Sequence, residues 1–186
     1  MRPVDEAELR SFLYEHELAW ITAQEAELRV IALPLTSDLD ARLAPFFGEA
    51  LADARISSVP VSNPPWYGDL RARGVDQRDL LDFGNLVAIT FNTTVNLLPD
   101  GPEPTMALLF HEFVHVLQYR LLGVQEFTRR YVDGWLAGGA FIDRPDLRYV
   151  SIPLERQAYD LQARFAAAPN SAFSVEAALQ QETASA

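Results

Sequence analysis

Cysteine is absent from this 186-residue chain, and so is lysine. Without cysteine the protein can form neither a disulfide framework nor a thiolate metal site nor a cysteine nucleophile, so histidine and carboxylate side chains are left to hold any metal ion. All 15 basic residues are arginine, and 26 acids oppose them, which leaves a formal charge of −11. A chain this acidic has no basic face for a polyanion, so we expect no nucleic-acid partner and disfavour a nucleic-acid regulator.

Long apolar runs and a leader-like amino terminus are also missing. The first ten residues carry five charges and no apolar stretch, and no segment approaches the length of about 20 apolar residues that spans a membrane. We therefore expect a cytoplasmic protein without a membrane partner. Apolar residues make up 49% of the chain and charged residues 22%, which is ordinary for a globular protein. The length predicts one domain over residues 1–186.

The order of the predicted elements indicates an α+β fold. Amphipathic periodicity predicts a first helix over residues 4–27, and the β-branched stretch that follows, 28–35, favours a short strand or an extended connection. Two apolar runs at 86–91 and 95–98 predict a hairpin or two neighbouring strands. The remaining predicted helices cover residues 38–55, 106–122, 125–136, 153–168 and 174–181.

The segment at residues 106–117, MALLFHEFVHVL, is the most informative part of the chain. Nine of its twelve residues are apolar and they cover every face of a helix, so the segment belongs in the interior. Its three polar residues are His111, Glu112 and His115. Burying them without partners costs several kcal/mol, about as much as a domain's whole stability. A hydrogen-bonded trio in a core helix is one way to satisfy them.

A metal ion explains the spacing of these residues better. His111 and His115 stand at i and i+4, so both rings reach one ion from the same helix face, and Glu112 lies beside that face, where it can hold a water molecule. This is the H-E-x-x-H arrangement. A purely structural zinc site has no use for the adjacent carboxylate, although the motif alone leaves such a site open.

This segment resembles the active-site helix of the zincin metallopeptidases. The apolar Phe110, Phe113, Val114 and Val116 around and inside the motif match the usual zincin setting. The metzincin branch requires Gly where this chain has Gln118, and His or Asp where it has Leu121. No histidine follows His115, so the resemblance is to the gluzincins, whose third ligand is a carboxylate.

The resemblance also implies an architecture. It implies a small, mostly antiparallel sheet, an active-site helix and a helical carboxyl-terminal part, with an upper part over about residues 1–120 and a lower part over about 121–186. By analogy, the strand at residues 86–91 forms the sheet edge that pairs with an extended substrate.

Six acids downstream of the motif could supply the third ligand: Glu126, Asp133, Asp143, Asp146, Glu155 and Asp160. A helix that returns antiparallel to the motif helix after the turn at Gly123 comes level with His115 only near Tyr131. Glu126 precedes that level and cannot reach the metal, while Asp133 stays possible as a ligand. Glu155 lies in a predicted helix, PLERQAYDLQARF, in which Ala158 permits close approach to the motif helix. This helix resembles the glutamate-bearing helix of gluzincins, and we prefer Glu155, with Asp133 as the alternative.

The function that the resemblance implies is hydrolysis of peptide bonds with Zn²⁺ as cofactor and a peptide or protein as substrate. Glu112 is then the general base and acid. Tyr131, Tyr149 or Tyr159 could stabilise the oxyanion, although each is also explained as a half-buried tyrosine, and we favour Tyr149. Asp160 is the predicted partner of a ligating histidine; Gln118 is a second candidate that an exposed polar face explains equally well. The alternative function is a catalytically inactive protein of zincin fold that uses its zinc for stability or for binding a partner.

Overall fold

The computed structural model of the protein describes residues 5–138 and 149–185. In these ranges the α-helices are α1 (Glu6–Ile31), α2 (Ser37–Phe47), α3 (Tyr67–Ala72), α4 (Met106–Leu122), α5 (Val124–Ala137), α6 (Pro153–Ala167) and α7 (Val175–Ser185). The strands are β1 (Leu33–Pro34), β2 (Arg55–Ser57), β3 (Ala88–Phe91) and β4 (Thr94–Leu97). Short 3-10 helices cover Gly48–Leu51, Gln77–Asp79 and Phe83–Asn85. The predicted α+β class is confirmed, and none of the helices in these ranges has the length and apolarity needed to cross a bilayer.

The four strands form one mixed sheet in the order β1-β2-β4-β3. β1 and β2 are antiparallel, β2 and β4 are parallel, and β3 and β4 form the antiparallel hairpin that the apolar runs predict. Asn92 takes a φ of 52° in the turn between them, a conformation that asparagine tolerates better than most residues. β3 has a neighbour on one side only among the described strands, so it lies at the sheet edge, where the sequence analysis places it.

The first helix is longer than its sequence predicts. The stretch from Leu28 to Ile31, predicted as extended, continues α1, and only Leu33 and Pro34 form a strand. Leu28 is buried one heptad after Ile21, which is also buried, so the apolar stripe of the helix runs through the β-branched residues. This packing outweighs the weak local preference of Val30 and Ile31 for a strand.

Helix α4 lies at the centre of the molecule and packs against α5, α6 and β3. The Thr105 hydroxyl accepts a hydrogen bond from the Leu108 amide at 3.1 Å and caps the first turn. At the other end Gly123 takes a φ of 77°, which ends α4 and lets α5 begin at the next residue. Residues 109–119 are all buried, as the uninterrupted apolar composition predicts.

Helix α6 approaches α5 closely at its first turn. A methyl group on Gly134 of α5 would lie 2.7 Å from Cδ of Pro153 and 3.1 Å from Cγ2 of Ile152, so only glycine permits this approach. Ala158 on α6 is fully buried in the core cluster that α4 also joins. These two contacts fix the amino-terminal turn of α6, which contains Glu155, against α4 and α5.

Candidate metal centre

The two motif histidines and Glu155 meet in the interior of the protein. His111 and His115 project from one face of α4, and their Nε2 atoms are 3.1 Å apart. Oε2 of Glu155, from α6, lies 3.3 Å from Nε2 of His111 and 3.4 Å from Nε2 of His115. All three residues are at least 95% buried. The structure therefore brings together the three residues that the sequence analysis prefers as ligands.

The spacing of these three atoms fits a metal ion. An ion about 2.0–2.1 Å from each ligand of a tetrahedral site holds those ligands about 3.3 Å apart, close to all three observed separations. Oε2 of Glu155 is buried and has no hydrogen-bond partner among the described residues. A buried carboxylate oxygen that points at two imidazole nitrogens is satisfied by a cation between them. Two imidazoles and a carboxylate form a donor set that suits zinc.

Opposite charges face each other within the cluster. Burial alone would lower the pKa of His115, but the negative charge of Glu155 and its contact with the ring raise the pKa of His115 to about 9. Burial likewise works to raise the pKa of Glu155, yet the positive charge of His115 and the contacts with both imidazoles hold it well below its usual range. Metal ligands must be deprotonated, so a cation that binds here displaces the proton of His115.

A tyrosine holds the other oxygen of the Glu155 carboxylate. The Tyr131 hydroxyl, on α5, donates a hydrogen bond to Oε1 of Glu155 at 3.0 Å. Tyr149 lines the same cavity as Glu155, and its pKa is raised well above the ordinary value by burial, then by the negative charges of Glu155 and Glu112. Both phenols therefore stay protonated at neutral pH and can donate. The bond from Tyr131 to Oε1 leaves Oε2 of Glu155 directed at the histidines.

Glu112 is held beside the histidines without joining them. The Thr90 hydroxyl, on edge strand β3, donates a hydrogen bond to Oε2 of Glu112 at 2.6 Å. Glu112 is only 5% exposed and lines the same cavity as His115 and Glu155. The sequence gives no sign of the role of Thr90, because no local pattern links a strand residue to a helix residue 22 positions later.

Gln118 orients the ring of His115. Its amide nitrogen donates to the Leu154 carbonyl at 3.0 Å and to Oε1 of Gln157 at 3.1 Å. The Leu154 carbonyl can only accept a hydrogen bond, so the amide nitrogen of Gln118 must face it. Oε1 of Gln118 therefore faces Nδ1 of His115, 2.8 Å away. That nitrogen must carry a hydrogen, so the proton that a metal displaces from His115 is the one on Nε2. Gln118 is 2% exposed, so the alternative of an exposed polar face is wrong.

We expect Gln118→Ala to lower the zinc affinity of the protein by about 10–100-fold, because the ring of His115 loses the acceptor that fixes its orientation. Competition with a chromogenic zinc chelator measures the affinity. Gln125→Ala, at an exposed position on α5, is the matched control and leaves the affinity unchanged. An affinity in Gln118→Ala equal to that of the control would show that the amide does not support the site.

Two other acids that the sequence analysis considers as ligands lie elsewhere in the structure. Asp133 is bonded to Arg10 and Arg129, and Glu126 to Arg129 and Arg130, so neither acid belongs to the centre. The prediction that Asp160 orients a ligating histidine is wrong: it is exposed, and Gln118 makes that contact. Tyr159 packs its ring against His111, with the ring centroids 4.5 Å apart. Asp143 and Asp146 lie outside the described residues.

A cavity of about 550 Å³, including the part open to solvent, adjoins the cluster. Glu112, His115 and Glu155 line it together with Tyr131 and Tyr149, and aromatic and aliphatic side chains form most of the remaining wall. A buried His-His-carboxylate cluster with an adjacent free carboxylate and an apolar cavity can bind a divalent cation and place a polar substrate group next to it.

Comparison with known proteins adds no family to this geometry: no protein-family model, no curated protein and no solved structure matches the chain.

Proposed function

We propose that this protein is a zinc-dependent metallopeptidase with a zincin-like, gluzincin-type active site. The observation that carries the proposal is the triangle formed by Nε2 of His111, Nε2 of His115 and Oε2 of Glu155, with separations of 3.1–3.4 Å. These three residues would hold the ion. Zinc bound by such a set supplies a Lewis acid and lowers the pKa of water towards about 7.

Glu112 performs the proton transfers in this proposal. Its carboxylate takes a proton from the attacking water and passes it to the leaving amine nitrogen as the carbon–nitrogen bond of the peptide breaks and a carbon–oxygen bond forms. The hydrogen bond from Thr90 keeps the carboxylate in place beside the ligands. No acyl-enzyme forms, since water is the nucleophile.

The edge strand and the tyrosines complete the substrate site. β3 carries Thr90, and its residues 88–91 line the cavity beside Glu112. An extended peptide that adds to the edge of β3 with which no described strand pairs would run past the cluster, with its backbone held by strand hydrogen bonds. Tyr149, protonated at neutral pH, is the proposed donor to the oxyanion.

We expect the purified protein to contain one zinc ion per chain and to cleave members of a peptide library. Treatment with a chelator removes the zinc and abolishes cleavage, and added Zn²⁺ restores it, because the Lewis acid is essential to the chemistry. Elemental analysis measures the zinc content, and mass spectrometry of the products measures the cleavage. A zinc-loaded protein that cleaves no peptide would favour the alternative, a zinc site used for stability or partner binding, and a protein that takes up no zinc would reject both.

A further inference from the structure

Glu17, on α1, lines two adjoining cavities. The first is the cavity beside the metal cluster, called here the site cavity, in which Glu17 is the one acid besides Glu112 and Glu155 among the described lining residues. The second, called here the side cavity, is lined by Leu13, Trp66, Leu70, Val132, Trp135 and other apolar or aromatic residues. Glu17, Leu81, Phe83 and Tyr131 line both, so the two cavities adjoin.

The carboxylate of Glu17 lacks a cationic partner within the described part of the chain. No described residue donates a hydrogen bond to it or forms an ion pair with it, although the side chain is half-buried. Burial among apolar groups raises its pKa to about 7. A positively charged ligand in the adjoining cavities would favour the ionised form of this carboxyl group and supply the partner that it lacks among the described residues.

We infer that Glu17 is a specificity-determining residue that receives the cationic end of an arginine or lysine side chain adjacent to the scissile bond. The inference rests on the proposed peptidase function. A peptide held at the cluster places one side chain in the site cavity. Trp20 and Phe83 line the site cavity together with Glu17 and suit the methylene stem of a long basic residue.

The charges of the chain favour the same class of substrate. A guanidinium or ammonium group forms its strongest hydrogen bonds with a carboxylate that is partly shielded from water. The net charge of −11 also attracts basic peptides before they bind. An acidic side chain in the same cavity would meet the like charge of Glu17.

Peptide cleavage tests the inference directly. We expect the zinc-loaded wild type to cleave a peptide with arginine adjacent to the scissile bond with a kcat/KM about 10–100-fold higher than that for the same peptide with norleucine there. Glu17→Gln should lose that preference while it still cleaves the norleucine peptide. Glu17→Asp keeps the charge at a shorter reach and retains part of the preference. Glu15→Gln, at an exposed position on the same helix, is the matched control and behaves as the wild type.

A binding measurement separates this inference from the peptidase proposal. The three tryptophans of the chain all line these cavities, Trp20 the site cavity and Trp66 and Trp135 the side cavity, so tryptophan fluorescence reports occupancy. We expect N-acetylarginine amide to change the fluorescence of the wild type and of Glu15→Gln at concentrations about 10–100-fold lower than for Glu17→Gln. N-acetylnorleucine amide should bind all three alike.

The outcomes are distinguishable. Cleavage without a preference for basic residues, unchanged in Glu17→Gln, overturns the role of Glu17 and leaves the peptidase proposal standing. Binding of the arginine amide that depends on Glu17, with no cleavage of any peptide, supports the cation site and overturns the peptidase proposal. Neither binding nor cleavage overturns both.

Discussion

Glu112→Gln should leave the zinc content of the protein unchanged and lower peptide hydrolysis by about 10²–10⁴-fold, the range that general acid–base catalysis contributes. The substitution keeps the shape of the side chain, and the Thr90 hydroxyl can still donate to the amide oxygen in place of the carboxylate oxygen it now meets at 2.6 Å. The amide cannot accept a proton from water at neutral pH. Elemental analysis and kcat/KM for one identified substrate measure the two effects.

The control for this change is Glu103→Gln, which replaces an exposed acid shortly before α4 and is expected to alter neither zinc content nor activity. The thermal unfolding midpoint of each variant shows that the fold persists. Cleavage by Glu112→Gln at the rate of the wild type would remove Glu112 from its proposed role. Loss of zinc together with activity would mean that the carboxylate supports the cluster.

Glu155→Ala should lower zinc affinity by more than about 100-fold, since the loss of a mere supporting residue already costs up to about that factor. The alanine removes the atom that lies 3.3 and 3.4 Å from the two histidine nitrogens. Activity disappears with the metal. His111→Ala is expected to lose zinc and activity in the same way. Competition with a chelator and metal content after gel filtration measure the loss.

Asp133→Asn is the matched control, because Asp133 is the other acid that the sequence allows as a ligand and the structure places it in ion pairs with Arg10 and Arg129. We expect this variant to keep the zinc affinity of the wild type. Unchanged zinc content in Glu155→Ala would reject the proposed ligand set. Far-ultraviolet circular dichroism of the metal-free variants separates loss of the metal from loss of the fold.

The residues of α4 could be assigned from sequence because their signal is local. The spacing of His111, Glu112 and His115 depends only on the period of a helix, and the apolar residues between them predict burial from composition alone. The structure confirms the helix, its bounds and the burial of all three residues. Its start at Thr105 and its end at Gly123 follow from capping chemistry that also acts within a few residues.

The contacts between elements could not be obtained in this way. Asp160 and Gln118 were both plausible partners for a ligating histidine, and the choice depended on which face of α6 meets α4. Leu28 to Ile31 carry a strand-like composition, but a tertiary contact of Leu28 keeps them helical. The position of Glu17 does have a local signal: it lies four residues after Leu13 and four before Ile21, both buried, so helical spacing alone places it on the apolar face of α1.

The sequence by itself determined the chemistry available at the centre: two imidazoles one helical turn apart, an adjacent carboxylate, and no thiol or later histidine to compete with them. The tertiary structure decided which distant carboxylate joins the pair. Helix spacing acts over a few residues of covalent chain, whereas the position of Glu155 depends on the packing of α6 against α4 and α5, through the close approach at Gly134 and the buried Ala158. Contacts across 40 residues of chain are set by the shapes of packed surfaces, which no local pattern encodes.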